Sequence, residues 1–498
     1  MRLSLKLFLV QFFIVCFAGV AFSQTETVEY NQDSTLRSVG TMNETGLKTG
    51  MWKTFNQNNQ LIQVGEYVGG EKSGMWIAYD TNGHIDIETI FQSGEANGLF
   101  KKYYPGKRLA MEGTFKNNEK DGLWKEYHEN GYLKTYGAYD MGKKTGLWKT
   151  YHSNGTIESE AHYKDGELTE SFKSYSQEGS LIKLANYKND QLHGVYEEYY
   201  DHAILKTKGT YDAGEKTGQW KEYYADGEEE SEAYYKNGVP VGKWIYYYPY
   251  STIKKEIFFK NGLMDSAYIE YHPNKNKSVI GEYEEGLRTG VWYNYHTNGK
   301  VYSFGEYKND EKTGNWKYFN NKGMMIAEGN FENDLETGQW FFYHDDGQLQ
   351  TIGTYEQGKE QGLWGSFHED GNLKQEKTWN EGKLVKVSDF YTVDGDTIRQ
   401  EGFKNGTGVV RDYYEDGAVA EVKTYKNGVL EGSTKLYSDK GELLAEGSYE
   451  NGRKEGYWKY YHSNGRLESD GSYKADELTG TWNFYDRRGT LIEREEYE

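Results

Sequence analysis

Of the eleven histidines in this 498-residue chain, His128, His152, His272, His296, His344, His368 and His462 occupy one recurring slot, separated by whole multiples or near-multiples of 24 residues. Imidazoles in register suggest a metal ladder or a pH-sensitive row. Spacing argues against it: if each recurrence is one β-hairpin, successive slots lie two strands apart, ~9.5 Å, whereas ligands of one zinc ion sit ~2 Å from it. The slot is therefore expected to be a solvated strand end. Asp80-Thr81-Asn82-Gly83 and Val393-Asp394-Gly395-Asp396 resemble pieces of a calcium loop. The first has Ala78 at the opening ligand position and neither has the closing glutamate, so both read as turns. Among 78 acidic residues no carboxylate pair stands out, no serine or threonine sits in a nucleophile elbow, and no glycine-rich phosphate loop precedes a helix. No catalytic, cofactor-binding or metal-binding residue is expected, and no residue is assigned to binding. The chain is expected not to be an enzyme.

The elements that carry these residues follow from composition and period. Only 36% of residues are hydrophobic, and 47 Tyr, 21 Phe and 13 Trp supply much of that. Such a chain lacks the aliphatic volume for a thick core but is too aromatic for disorder. Residues 1–23 carry Arg2 and Lys6, an apolar run and Ala21-Phe22-Ser23, and are expected to be a signal peptide cleaved before Gln24. Its loss takes the net charge from −20 to −22 and removes Cys16, the single cysteine. Disulfides and thiolate chemistry are then excluded from the exported chain, which is periplasmic, surface-bound or secreted. The acidity repels nucleic acid and disfavours anionic membranes, and points to a cationic partner.

Anchoring each unit two residues before its tryptophan places nineteen anchors between Gly50 and Gly480, with seventeen steps of 24 residues and one of 22 between residues 386 and 408. Position +2 is Trp in twelve units, and Phe100, Phe172, Tyr196 or Tyr268 in four more. Positions +5 and +17 are aromatic in all nineteen, and glycine stands at +9 in fourteen, as in Asn82-Gly83 and Asn464-Gly465. A second turn follows the last ring, as in Lys236-Asn237-Gly238. Asn-Gly between short aromatic runs is a strong hairpin signal, because both residues tolerate positive φ. Pro105, Pro240, Pro249 and Pro273 all fall at or beside turns.

Each unit thus reads as strand (+1 to +6), turn, strand (about +11 to +18), turn. Turns this short force antiparallel neighbours. The expected fold is all-β: an elongated antiparallel meander of about 19 stacked hairpins in a single twisted and curled sheet. Three regions follow: the leader at 1–23, a lead or cap at 24–49, and the array at 50–498, with one unit shortened by two residues at 386–407. Tyr at +17 should lie beside the next unit's Trp, and Tyr at +5 beside the aliphatic at +11. Because +2 and +5 are three apart, either a bulge near +3 or +4 brings both rings to one face or the curled sheet covers both faces.

The unit G-x-W-x-x-Y-x-x-x-G, followed by an aliphatic, an aromatic and N-G, resembles the MORN-type repeat, specifically the variant repeats of bacterial antitoxin-like proteins, over residues 50–498. The resemblance implies a non-enzymatic hairpin stack acting as a scaffold, a protein-binding module or a lipid-associated protein; the antitoxin-like class implies a toxin partner. The expected function is an exported scaffold that binds another macromolecule, foremost protein, along an extended surface. A carbohydrate or cell-wall binding array is the alternative, with Tyr104, Tyr200, Tyr224, Tyr248 and Tyr414 in the histidine slot as sugar-stacking platforms or strand-end shields. A membrane-associated scaffold is the second alternative.

Overall fold

The computed structural model describes residues 25–32 and 34–498; the leader expected at residues 1–23 lies outside them. The chain divides into two units, residues 1–227 and 228–498. In the first, every strand from Thr25–Tyr30 to Glu215–Tyr223 pairs antiparallel with its sequence neighbour, as Lys48–Phe55 does with Leu61–Val68 and Leu61–Val68 with Glu71–Tyr79. Residues 24–49, expected as a lead or cap, supply the first hairpin of this meander, Thr25–Tyr30 with Leu36–Met42. The second unit repeats the plan from Glu229–Lys236 to Leu491–Tyr497.

The first strand of each hairpin begins earlier than the turn residues suggest, at −3 rather than +1, as in Glu71–Tyr79 around anchor Gly74. The extra residues are absorbed by a wide bulge. Val64 pairs with Ile77 and Glu66 with Ser73, so Gly65 alone faces Gly74, Met75 and Trp76. The anchor takes up the distortion in left-handed conformation, φ +63° at Gly74, which costs an L-residue ~1–2 kcal/mol. Glu170 and Ser266 adopt the same conformation at this position, with φ 57° and 69°.

A second irregularity falls across the first turn, where Ala78 pairs with Ile87 but Tyr79 with Ile85, leaving Asp86 unpaired. Neither bulge interrupts the strand between +2 and +5. The two rings therefore stay on opposite faces, and no bulge near +3 or +4 brings them together. The tryptophan face also carries the +4 residues, as where Tyr318 stacks on Trp316 at 6.2 Å. The other face carries +3, +5 and +14: Lys125 and Tyr127 both bond Glu112, at 3.1 and 2.9 Å.

The tryptophan face is one layer deep, yet Trp52, Trp316 and Trp458 are at most 2% exposed. Up to four contacts bury these rings, a lysine at −2 being present in seven of the twelve tryptophan units. Aromatic residues at +17 meet it edge-on from both sides: Tyr307 lies 5.2 Å and Phe331 6.0 Å from Trp316, at interplanar angles of 89° and 80°. The lysine at −2 lies over the ring, 3.9 Å away for Lys48 over Trp52 and 4.6 Å for Lys312 over Trp316. The indole N–H donates to the +16 carbonyl of the preceding hairpin, beside the bulge, as Trp76 does to Glu66 at 3.1 Å. Finally, the ring lies against the backbone of the preceding +15 residue. A Cβ placed there would stand 2.2 Å from Trp316 at Gly305 and 2.1 Å from Trp340 at Gly329.

That last contact explains a pairing within the sequence. Eleven of the twelve slot +2 tryptophans follow a glycine at +15, whereas Phe100, Phe172, Tyr196 and Tyr268 follow Thr89, Ala161, Ala185 and Ile257. Trp244 alone follows an alanine, Ala233, and its ring tilts, 56° to Tyr235 and 48° to Phe259, where other tryptophans stand nearly perpendicular to these neighbours.

The meander is interrupted once in the second unit, at the shortened repeat. Ser388 occupies the ring slot, the ladder ends at Val387, and Phe390–Tyr391 pairs only with Thr397–Ile398. The ladder resumes with Phe403–Lys404 against Thr407–Tyr413. Elsewhere the +17 ring pairs with −2; here Phe403 pairs with the anchor Gly408 itself, so the two missing residues are those that form the bulge in other repeats. Leu384, Val410 and Tyr425 close the gap as a small buried cluster, and Leu384 N–H donates to Gly428 O at 3.0 Å.

Candidate binding surface

The histidine slot is not a solvated strand end. Each imidazole Nε2–H donates to the +5 carbonyl of the following unit: His128 to Tyr151 at 2.8 Å, His296 to Phe319 at 2.9 Å, His462 to Tyr485 at 2.9 Å. The +5 residue is followed by a turn, so its carbonyl has no ladder partner on that side and takes one from the neighbouring hairpin. Tyrosine in the slot does the same work, Tyr104 donating to Tyr127 at 2.8 Å and Tyr414 to Tyr437 at 2.7 Å. Their hydroxyls are thus committed to joining hairpins. Asn at +8 adds a second link, as Asn154 to Gln177 at 2.9 Å. At the opposite edge, Asp310 accepts from the Arg288 N–H at 2.8 Å. Among the described residues no group of three or more His, Cys, Asp or Glu side chains could hold a metal ion. Asp80 accepts from Asn82 and His84 N–H groups at 2.9 and 2.8 Å, which is turn chemistry.

On the +5 face, phenols bond to +14 carboxylates. Burial, reinforced by Glu88, Glu328 and Glu446, pushes Tyr103, Tyr343 and Tyr461 up to about 12. These folded values exceed the unfolded value of ~10, so their contribution to stability is complete below about pH 10 and disappears as pH rises through 12. Tyrosinate absorbance is expected to lag behind that of free tyrosine and to rise together with loss of β-sheet circular dichroism between those limits. Titration near pH 10 with the sheet intact would contradict this linkage.

Two surfaces remain uncommitted to the internal ladders. One is the interruption at 388–402, where a 290 Å³ cleft is lined by Gln350, Lys374, Gln375, Lys377, Asp412 and Tyr413 among others. Asp412 accepts from Lys377 at 2.6 Å and Lys423 at 3.2 Å. Burial opposes its ionisation, but the two ammonium groups outweigh it and hold the carboxyl below the usual range. Asp412→Asn leaves both lysines facing a neutral amide and is expected to cost about 2 kcal/mol at pH 7. The cost should begin to shrink as pH falls below ~4, where the unfolded-state carboxyl takes up its proton first, and should vanish only once the native carboxylate is itself neutralised at lower pH; urea titrations at pH 7 and pH 3.5 measure both the cost and the onset of its loss.

The other surface is a row in the first unit. Position +1 points away from the tryptophan face, and Met51, Met75, Leu99, Leu123 and Leu147 occupy it in five successive hairpins, each 39–59% exposed. After Ser171, Val195 continues the row. No residue in this row was singled out from the sequence, because +1 lacks the aromatic signature that defines the period; its signal is an unbroken run of apolar residues at a slot where, elsewhere, Val291 and Leu363 alternate with Lys243, Asn315 and Gln339.

A family model described as MORN repeat variant matches residues 120–140, 144–165, 216–237, 288–309, 336–357, 360–381, 407–427 and 454–475. No curated protein sequence matches the chain. Among solved structures, TcdB2–TccC3 aligns over 95% of this chain and 27% of its own, at 11% identity and a TM-score of 0.14. A Tc holotoxin pore of Photorhabdus luminescens aligns over 94% and 26%, at 11% identity and a TM-score of 0.14. This chain spans about a quarter of the length of those chains. With eight matched segments distributed from residue 120 to 475 over hairpins of one register, the chain belongs to the MORN-repeat family, in its variant form.

Proposed function

We propose that this chain is an exported, non-catalytic scaffold that binds a protein partner along the surface of its repeat sheet. The observation that carries the reading is the division of labour among slots. Histidine, tyrosine and asparagine side chains at the turns are consumed in joining hairpins, while Met51, Met75, Leu99, Leu123 and Leu147 stay in register and uncovered. Exposed apolar side chains in a contiguous array mark interaction surfaces, and a repeat sheet supplies area rather than a reaction centre. The leader-type segment at residues 1–23 supports export. Neutralisation of a toxin, as the resemblance to antitoxin-like proteins implies, is one specific form of this proposal.

The test is crosslinked co-purification from the native envelope fraction, comparing the wild-type chain with Leu99→Glu/Leu123→Glu. Recovery of a defined protein by the wild type alone supports the reading. Recovery of none, or of the same set by both, removes it. The carbohydrate-binding alternative rests on the tyrosines of the histidine slot, and the hydroxyls of Tyr104, Tyr200, Tyr248 and Tyr414 are tied to backbone carbonyls. Saturable, aromatic-dependent binding on a glycan array would favour that alternative instead. No helix among the described residues is long and apolar enough to cross a membrane; flotation with anionic and neutral liposomes tests the membrane-scaffold alternative.

A further inference from the structure

We propose that the apolar row of the first unit is a track for an extended polypeptide segment in polyproline II conformation, with an apolar residue at every third position and acidic residues beside it. The inference rests on the protein-binding reading and narrows it to one kind of partner.

Two observations choose the occupant. The first is spacing. Row residues stand on alternate strands and recur every ~9.4–9.8 Å. A polyproline II helix repeats every three residues, ~9.3 Å, so five successive apolar side chains drift from the row by only about 1 Å. An α-helix meeting the row through every seventh residue advances ~10.5 Å, and drifts about 4 Å over the same length.

The second is charge. Two residues along the strands, on the same face, lie Lys53, Lys101, Lys125, Lys149 and Lys173, with Ile77 in that place beside Met75. Glu112 is paired across the ladder with both Lys101 and Lys125, and Glu160 with both Lys149 and Lys173. Glu88 is paired with Lys101 on its other side, so this strip has four lysines to three glutamates, a surplus of positive charge in a chain of net charge −20. A segment whose apolar edge rests on the +1 row turns its next edge, one third of a turn away, toward the lysines. Acidic side chains on that edge meet the surplus positive charge. Met51 and Met75 at one end give the track a deformable section, since thioether side chains adapt to irregular contacts.

The probe is a dye-labelled peptide of five Leu-Glu-Pro triplets, titrated with the full chain and followed by fluorescence anisotropy. Saturable binding is expected. A peptide of equal length and composition with its leucines moved out of the three-residue repeat should bind at least tenfold more weakly, because it seats only one or two leucines. Leu99→Glu/Leu123→Glu should weaken the triplet peptide at least tenfold, with circular dichroism unchanged, since both side chains are exposed. Equal affinity for the two peptides, absence of saturable binding, or tighter binding of a heptad-patterned helical peptide would overturn the inference. So would a concentration-dependent dimer abolished by the same substitutions, which would make a second copy the occupant. Loss of the peptide result while the envelope partner is still captured through Leu99 and Leu123 removes this inference alone; loss of both removes the broader reading.

Discussion

Trp316→Ala is expected to destabilise the second unit by about 3–5 kcal/mol, the range for truncating a fully buried large aromatic. The side chain is 1% exposed and makes all four contacts of the lock: edge-to-face with Tyr307 and Phe331, beneath Lys312, against Gly305, and an N–H bond of 3.3 Å to Glu306 O. It also lies in a cluster where three tryptophans, Trp292, Trp316 and Trp340, are linked through Tyr307 and Phe331. Removing the middle ring strips an aromatic neighbour from both and leaves the Glu306 carbonyl without its donor. The sheet has no second layer that could collapse into the space, which places the effect at the upper end of the range.

The loss should be local before it is global. In a stack where each repeat contacts only its neighbours, stability is a sum of unit and interface contributions. Backbone amides over residues 290–340 are therefore expected to lose hydrogen-exchange protection first, with the hairpins around Trp458 and Trp482 much less affected. A change below 1 kcal/mol for Trp316→Ala in urea denaturation, or uniform loss of protection across the second unit, would show that the ring lock does not hold the hairpins together.

What the sequence displayed and what it concealed follow from the same lock. Period, strand direction and the neighbour relation of Tyr67 with Trp76, 5.0 Å apart, were readable because rings recur at +2, +5 and +17. The bulge at the anchor is not legible, because it is a backbone event, marked in most repeats only by a glycine that equally well reads as a turn. Histidine at +6 looked solvated because a strand end normally faces water; the neighbouring hairpin's open carbonyl, which the imidazole satisfies, exists only once hairpins are stacked. The shortened repeat was visible as a count of 22, but not that two residues are the length of the bulge, nor that Ser388 in the ring slot would stop the ladder at Val387. The glycine at +15 was in plain view and carried no evident reason until the ring beside it was placed.

That glycine yields a prediction with a built-in control. Gly329→Ala puts a methyl group where only 2.1 Å separates it from Trp340 Cδ2. Neither atom can yield locally: the methyl is fixed to the ladder, and the indole is held by Phe331 at 5.2 Å and by its N–H bond to Asn330 O at 3.2 Å. The ring must tilt, as Trp244 does over Ala233, and forfeit part of both contacts. Overpacking of this kind costs about 1–3 kcal/mol, and the lost edge-to-face geometry adds ~0.5–1.5 kcal/mol. Here the backbone φ is not left-handed, so the cost is steric and should vanish when the ring shrinks. Trp340→Phe alone should destabilise by a few kcal/mol through lost burial. In combination with Gly329→Ala it should be no worse than Trp340→Phe by itself, because the chain already seats Phe172 against Ala161 and Tyr196 against Ala185. A double-mutant cycle measured by urea denaturation would then give a favourable coupling of about 2 kcal/mol between positions 329 and 340. Additive losses would mean that the glycine serves backbone freedom rather than the ring, and the correspondence between glycine and tryptophan along the chain would need another cause.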